Sequence, residues 1–267
     1  MTSETINEEA VNEEATTIES KRIMLTVAYD GTAYRGWQYQ PKVPTIEGEL
    51  KGCLAEILGH EFIMAGGSRT DTGVHALGNI AVFDTTSPIA PEKIAFAMNR
   101  RLPDDIRVQK SEEVAADFHP RKVPSRKVYE YRIWNAPIPL PTLRLYRYHT
   151  HQQLDVAQMD EAAAYLVGEH DFTSFCAVGS TAKTMQRTIH AASVTSPASC
   201  EVVISVIGGG FLYNMVRIIA GTLLEVGVGR YPPAHVAEII EAKDRCIAGP
   251  TAPAHGLFLI GYQFDPF

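Results

Sequence analysis

Apolar residues alternate or recur along the first third of the chain in an order that predicts strands and helices. Ile23–Tyr29 alternates apolar and polar positions, which is typical of a half-buried strand. A helix is predicted over Ile46–Leu58, with Thr45 as its N-cap and Gly59 ending it. The next predicted elements are two strands, a helix with proline in its first turn, and a strand: Glu61–Ala65, Asn79–Asp84, Pro91–Leu102 and Ile106–Lys110. This β-α-β-β-α-β order is ferredoxin-like.

The same order recurs in the rest of the chain. The predicted elements are a strand, a helix, a hairpin of two strands, two helices and a final strand: Val128–Trp134, Leu154–Val167, Thr188–Thr195 with Val202–Ile207, Phe211–Val226, Ala234–Lys243 and Leu257–Phe264. The two halves share no residue-level repeat, so their likeness rests on the element pattern alone. The sequence therefore predicts an α+β protein of two ferredoxin-like halves, residues 21–112 and 113–267, with antiparallel sheets and a central active-site cleft.

The net charge of −7 is unevenly distributed along the 267 residues. The first 20 residues hold six Glu and no Lys or Arg, so the remainder carries nearly equal numbers of acids and bases. Residues 1–20 are predicted to be a disordered acidic tail with no secretory signal, and a nucleic-acid partner is not excluded. No membrane span is expected, because Arg217 and Glu225 interrupt the longest apolar run. Four widely spaced cysteines favour a reduced, cytoplasmic protein.

One polar loop, Gly66–Ala76, lies between two predicted strands and reads Gly-Gly-Ser-Arg-Thr-Asp-Thr-Gly-Val-His-Ala. Its glycines allow close approach of a ligand, and loops held by strands commonly carry chemistry. Asp71 is therefore a candidate nucleophile. The alternative is a tight turn in which Asp71 caps the backbone and pairs with Arg69.

The apolar helix predicted after Gly208–Gly210 carries Arg217. A buried guanidinium without a partner is strongly destabilising, so Arg217 needs either an internal carboxylate or a ligand phosphate. Asp71 is a candidate partner in both interpretations.

Two further segments combine basic and aromatic residues. Arg35 and Trp37 lie in the loop after the first strand, and a basic segment leads into the strand that carries Tyr129 through Lys122, Arg126 and Lys127. Such segments suit phosphate contact and base stacking. A hydrophobic lid explains the first segment equally well, and a solvated charge run beside core tyrosines is the favoured explanation of the second when it is taken alone. The sequence contains no P-loop, GxSxG or HExxH motif, and His149 with His151 forms only a weak metal signal.

Taken together, these residues resemble the TruA family of tRNA pseudouridine synthases. The resemblance runs in order from about residue 23 to residue 264 and rests on six blocks: Tyr29–Gln38, Arg69–Ala76, Lys127–Tyr131, Asp171–Phe175, Gly210–Arg217 and Ala254–Leu257. Thr72 stands where alanine is usual in the family and Ser68 where glycine is common, but Arg69, Asp71 and Gly73 are intact. The acidic tail lies outside the resemblance.

The resemblance implies isomerisation of uridine to pseudouridine at positions 38, 39 and 40 of the tRNA anticodon arm. It also implies a homodimer and no cofactor or metal. On this reading Asp71 is the nucleophile, Tyr129 stacks on the uracil, and Arg217 holds Asp71 ionised. Arg69 fills the vacated space or binds phosphate, while Val74 and Leu257 form an apolar wall. Two other functions stay open: a non-catalytic RNA-binding protein, and a glycosidase-like hydrolase that uses Asp71.

Overall fold

A computed structural model describes residues 20–264 of the chain. Its first half contains the predicted elements in the predicted order: β1 (Lys21–Tyr29), α1 (Ile46–Leu58), β2 (Met64–Gly66), β3 (His75–Thr85), α2 (Pro91–Asn99) and β4 (Ile106–Val114). The strands lie in the order β4-β1-β3-β2 and all pair antiparallel. This arrangement confirms a ferredoxin-like first half.

The second half repeats that arrangement with two added strands and one added helix, α5. Its elements are β5 (Ser125–Asn135), β6 (Tyr148–Thr150), α3 (Val156–Ala164), β7 (Gly168–Asp171), β8 (Gln186–Thr195), β9 (Glu201–Gly208), α4 (Met215–Gly227), α5 (His235–Ala242) and β10 (Leu257–Phe264). The order β10-β5-β9-β8 matches that of the first half, strand for strand. The added strands are β6, which pairs with β5, and β7, which pairs with β8. The prediction of an α+β fold with two ferredoxin-like halves is therefore confirmed.

A short parallel pairing joins the two halves. Phe258 and Leu259 of β10 pair with His75 and Ala76 of β3, so ten strands within residues 20–264 belong to one sheet. Because β3 begins directly after the Asp71 loop, this seam brings β10 to the candidate site. The chain crosses from one half to the other between β4 and β5, and the domain limits at residues 112 and 113 stay a prediction.

Local signals in the sequence set several helix ends. The Thr45 side chain accepts a hydrogen bond from Gly48 N at 3.2 Å, and Gly59 ends α1 in the left-handed region at φ 68°. The predictions for α3 and α4 were too long at their starts. Asp155 caps α3 through Gln158 N, and Asn214 at φ 58° delays α4 until Met215.

Two short strands were missed, and one was placed too early. The strands β6 and β7 have three and four residues, which is too few to show alternation. The strand β2 covers only Met64–Gly66 instead of Glu61–Ala65. Of the predicted acidic tail, only Ser20 belongs to the described residues. Among the described helices, none is both long and apolar enough to span a membrane.

Candidate active site

The Asp71 loop connects β2 to β3, and the segment after β1 packs against it. Trp37 N donates to Thr70 O at 3.0 Å, and the Trp37 indole packs against Gly66. A Cβ at residue 66 would lie 2.3 Å from the indole Nε1, so only glycine allows this contact. Gly36, at φ 89°, lets the backbone approach Thr70 O closely. The loop geometry therefore depends on residues more than 30 positions earlier in the chain.

A buried amide holds the start of the loop. Asn79 is fully buried, and its side chain accepts from Ser68 N at 3.3 Å and donates to Ser68 O at 3.0 Å. Asn79 Nδ2 also donates to the Tyr29 hydroxyl at 3.2 Å. The Tyr29 hydroxyl hydrogen-bonds Thr70 Oγ1 at 2.7 Å, directly before Asp71. These bonds fix the backbone on which Asp71 stands.

Asp71 faces Arg217 across the junction of the two halves. Arg217 Nη1 lies 3.5 Å from Asp71 Oδ2, and the two side chains are 18% and 26% exposed. Arg217 is itself anchored, because its Nε donates to Ala252 O at 2.7 Å and its Nη1 donates to Asn214 Oδ1 at 2.9 Å. The structure thus selects between the sequence alternatives: Asp71 pairs with Arg217, while Arg69 is exposed in the cleft.

Two opposing effects act on the Asp71 carboxyl. Burial raises its pKa, while the charge and hydrogen bond of Arg217 lower it, and the net pKa lies above the ordinary 3.8. Arg217 therefore offsets part of the cost of burying the carboxylate without cancelling it. The expectation that an adjacent cation favours ionised Asp71 is correct for the Arg217 contribution alone.

Apolar and aromatic side chains form another part of the cleft that holds Asp71. Tyr129 on β5 is 7% exposed, and its ring meets Phe211 edge to face at a centroid distance of 5.1 Å. Burial raises the pKa of Tyr129 to about 12, so its hydroxyl stays protonated at neutral pH. Val74 and Leu257 are both buried and line the same cleft, which brings the predicted apolar wall to Asp71.

The cleft around these residues has a volume of about 770 Å³ and a strongly cationic lining. Among the described residues that line it, Asp71 is the one carboxylate, and six side chains are basic: Arg35, Arg69, Arg121, Lys127, Arg187 and Arg217. Lys127 Nζ donates to Gly209 O at 2.8 Å, and burial lowers its pKa. Such a lining suits a polyanion that carries a flat ring to the carboxylate.

Three of the predicted RNA-contacting residues do not line this cleft. Trp37 is 1% exposed beneath the loop, which corrects the prediction of an RNA-contacting Trp37. Lys127 and Tyr129 face the cleft, so Arg126, which directly precedes Lys127 on β5, points to the opposite face of the sheet. Lys122 is exposed on the loop before β5, outside the lining. Arg35 and Lys127 are the predicted RNA contacts that the structure places at the site.

Sequence reasoning missed one wall of the cleft. Gly179–Ala182 and Arg187 line it, and Arg187 Nη1 donates to Thr184 O at 2.9 Å. These residues carry no motif, and the antiparallel pairing of β7, β8 and β9 brings them to the site. The role of Asn214 in the site was also missed, although an asparagine directly before an apolar helix is a signal that the sequence contains.

His75 is a structural residue at the end of the loop. Its Nδ1 accepts from Gly31 N at 3.1 Å, and its Nε2 hydrogen-bonds Leu145 O at 2.9 Å. Burial lowers the pKa of His75, and its ring stacks on Phe258 at 4.7 Å. The neutral imidazole therefore ties the loop to the second half.

The geometry indicates a class of protein: a cationic cleft that holds one carboxylate among its described lining residues is typical of an enzyme that acts on a nucleotide unit. Comparison with known proteins agrees. The model of a family described as tRNA pseudouridine synthase matches residues 25–121 and 162–265. A tRNA pseudouridine synthase A of Acetivibrio thermocellus is 44% identical over 240 residues, which cover 90% of this chain and 98% of that protein. One of Moorella thermoacetica is 45% identical over 239 residues, covering 89% and 97%.

The chain belongs to the tRNA pseudouridine synthase family. It is an isomerase that acts on uridine in tRNA.

Proposed function

We propose that this enzyme converts uridine to pseudouridine at positions 38, 39 and 40 of the tRNA anticodon arm, with Asp71 as its nucleophile. The observation that carries the proposal is the environment of Asp71. It is the one carboxylate among the described residues lining a cationic cleft, and it lies 3.5 Å from Arg217. The three positions follow from the TruA resemblance of the motif blocks.

The reaction exchanges one glycosidic bond for another. The N1–C1′ bond breaks, the uracil turns, and a C5–C1′ bond forms; C5 loses its proton and N1 gains one, so the composition of the nucleotide is unchanged. Asp71 has three chemically reasonable roles, which are addition to C1′, addition to C6 and abstraction of the C2′ proton. Each role needs the ionised carboxylate.

The residues around Asp71 divide the remaining tasks. The target nucleotide must leave the helical stack, at a cost of a few kcal/mol. The Tyr129 ring stacks on the extracted uracil, and Arg69 fills the vacated space or binds its phosphate. Val74 and Leu257 exclude water, which limits hydrolysis of the detached base. Arg217 orients Asp71 and favours its ionised form.

Four basic side chains of the cleft bind the tRNA backbone: Arg35, Arg121, Lys127 and Arg187.

The predictions of a cytoplasmic homodimer follow from the cysteine pattern and the resemblance. Sedimentation of the purified protein with and without tRNA tests the dimer. A monomer under both conditions would contradict that part of the proposal.

The central experiment compares Asp71→Asn with Asp117→Asn on tRNA labelled with [5-³H]uridine. Asp117 is exposed on the loop after β4 and does not line the cleft, so its variant controls for the loss of one negative charge. We expect tritium release and mapped pseudouridine only with the wild type and Asp117→Asn. Asp71→Asn should still bind tRNA.

The products separate this proposal from the two other functions. A protein that only binds RNA releases no tritium even as the wild type. A hydrolase releases free uracil and usually needs a second carboxylate, which the described lining of the cleft does not provide. Normal pseudouridine formation by Asp71→Asn would remove Asp71 from the chemistry.

A further inference from the structure

Asn214 occupies an unusual backbone position at the start of α4. It is the N-cap residue at φ 58°, in the left-handed region where few residues other than glycine and asparagine occur. An asparagine at this position ordinarily caps a free N–H of the first turn. Here it makes no such bond. The side chain is therefore committed elsewhere.

The partner of the Asn214 side chain is Arg217. Asn214 Oδ1 accepts from Arg217 Nη1 at 2.9 Å. Because a guanidinium can only donate, the amide oxygen must be the atom that faces it. The same Nη1 is the atom that lies 3.5 Å from Asp71 Oδ2. One nitrogen thus connects the amide and the carboxylate.

We propose that Asn214 is a positioning residue that sets the Arg217 guanidinium against Asp71. This inference rests on the proposed function of Asp71. Two hydrogen bonds hold the Arg217 guanidinium. In the first, Nε donates to Ala252 O at 2.7 Å and fixes one end of the group. The second, to Asn214, determines the rotation of the guanidinium that directs Nη1 at the Asp71 carboxylate. The left-handed backbone at residue 214 is what directs the amide toward its own helix.

The first test replaces Asn214 by glycine and by alanine. Asn214→Gly keeps the left-handed backbone at little cost and removes only the acceptor, whereas Asn214→Ala removes the acceptor and adds strain. We expect both to lower kcat about tenfold, the effect of losing one hydrogen bond to a charged group. KM for tRNA should change little, because Asn214 is not required to bind phosphate. Only Asn214→Ala should also lower Tm.

The pH profile of kcat distinguishes a positioning role of Asn214 from a merely structural one, because a structural role would not shift this profile. The titratable groups that face Asp71 are Arg217 on α4 and Tyr129 on β5. In Asn214→Gly the contact between Arg217 and Asp71 is weaker, so Arg217 lowers the pKa of Asp71 less and the effect of burial raises it further. The acidic limb of kcat should therefore move to higher pH. A variant that is only less well folded loses activity at every pH without moving that limb.

A double-mutant cycle with Arg217→Ala completes the test. If Asn214 acts through Arg217, Asn214→Gly should cause no further loss in the Arg217→Ala background. Additive losses, or an unmoved acidic limb in the single variant, would overturn the inference. A failure of the proposed function gives a different result from a failure of this inference. If the proposed function is wrong, Asp71→Asn forms pseudouridine normally, whatever the variants at residue 214 do.

Discussion

Arg217 Nη1 lies 3.5 Å from Asp71 Oδ2, yet the pKa of Asp71 is higher than that of an ordinary aspartate. Burial has the larger effect on the carboxyl, and the guanidinium opposes only part of it. A nucleophile with a raised pKa is less strongly stabilised as an anion, which suits a group that must bond to carbon and leave again.

Removing the Arg217 charge should shift the acidic limb of the reaction. With Asp71 as the proposed nucleophile, activity requires its ionised form and is lost as pH falls through its pKa, which lies above 3.8 in the wild type. In Arg217→Gln the burial effect is unopposed, so we expect the acidic limb of kcat to rise by about one pH unit or more. Single-turnover rates measured from pH 4.5 to 8.5 check this. An unchanged limb would show that Arg217 does not influence Asp71.

The Asp71→Asn variant should be at least as stable as the wild type. The folded-state pKa of Asp71 is raised above the unfolded value, so the native state binds more protons and loses stability as pH rises through that window. Above it, the ionised carboxylate is a net cost that an amide removes. We expect an equal or higher Tm at pH 7.5 in thermal melts. A Tm several degrees lower would contradict the burial argument.

Tyr129→Phe should retain most of the activity. The ring keeps its packing on Phe211 and its apolar face, while the variant loses the hydrogen bond with Ser68. One neutral hydrogen bond is worth about 0.5–1.5 kcal/mol, so we expect less than about a tenfold loss in kcat/KM. Tyr129→Ala should lose far more. Normal tRNA binding without reaction by Tyr129→Phe would assign the hydroxyl a chemical role.

Arg187→Gln should weaken tRNA binding and reduce its salt dependence. Each phosphate contact contributes about one unit to the slope of log Kd against log salt, so losing Arg187 should lower the slope by about one. The matched control is Arg100→Gln, since Arg100 is exposed outside the cleft. Filter binding from 50 to 300 mM KCl, about the range over which such contacts are screened, provides the measurement. Equal slopes for both variants would place Arg187 outside the RNA path.

Asn79→Ala should destabilise the fold and disorder the Asp71 loop. The change leaves the N–H and C=O of buried Ser68 without the partner that Asn79 provides, and it removes one of the two hydrogen bonds of the Tyr29 hydroxyl. Unsatisfied buried groups cost about 1–3 kcal/mol each, so we expect about 3 kcal/mol in urea unfolding. Tyr262→Phe, which removes the hydroxyl that donates to Ser68 Oγ and to Asn79 Oδ1, should cost only about 1 kcal/mol. Similar small losses in both variants would show that Asn79 is not the centre of the network.

The sequence by itself determined the element order of the first half and identified Asp71 and Arg217 as a candidate pair. Helical and alternating patterns of apolar residues, and caps such as Thr45 and Gly59, depend only on residues that are close together in the chain. They can therefore be recognised from short stretches of sequence. A charged residue within an apolar helix requires a partner, which is why the sequence alone made Asp71 a candidate partner of Arg217.

Only the tertiary structure decided which side chains reach the cleft. Trp37 is a residue type that often contacts RNA, but it is buried. Arg187 belongs to no recognisable motif, but it lines the site. Asn79, Ser68 and Tyr262 meet through the seam between β3 and β10, nearly 200 residues apart in sequence. Such pairings depend on register and strand order, which are set by packing over the whole sheet rather than by local sequence.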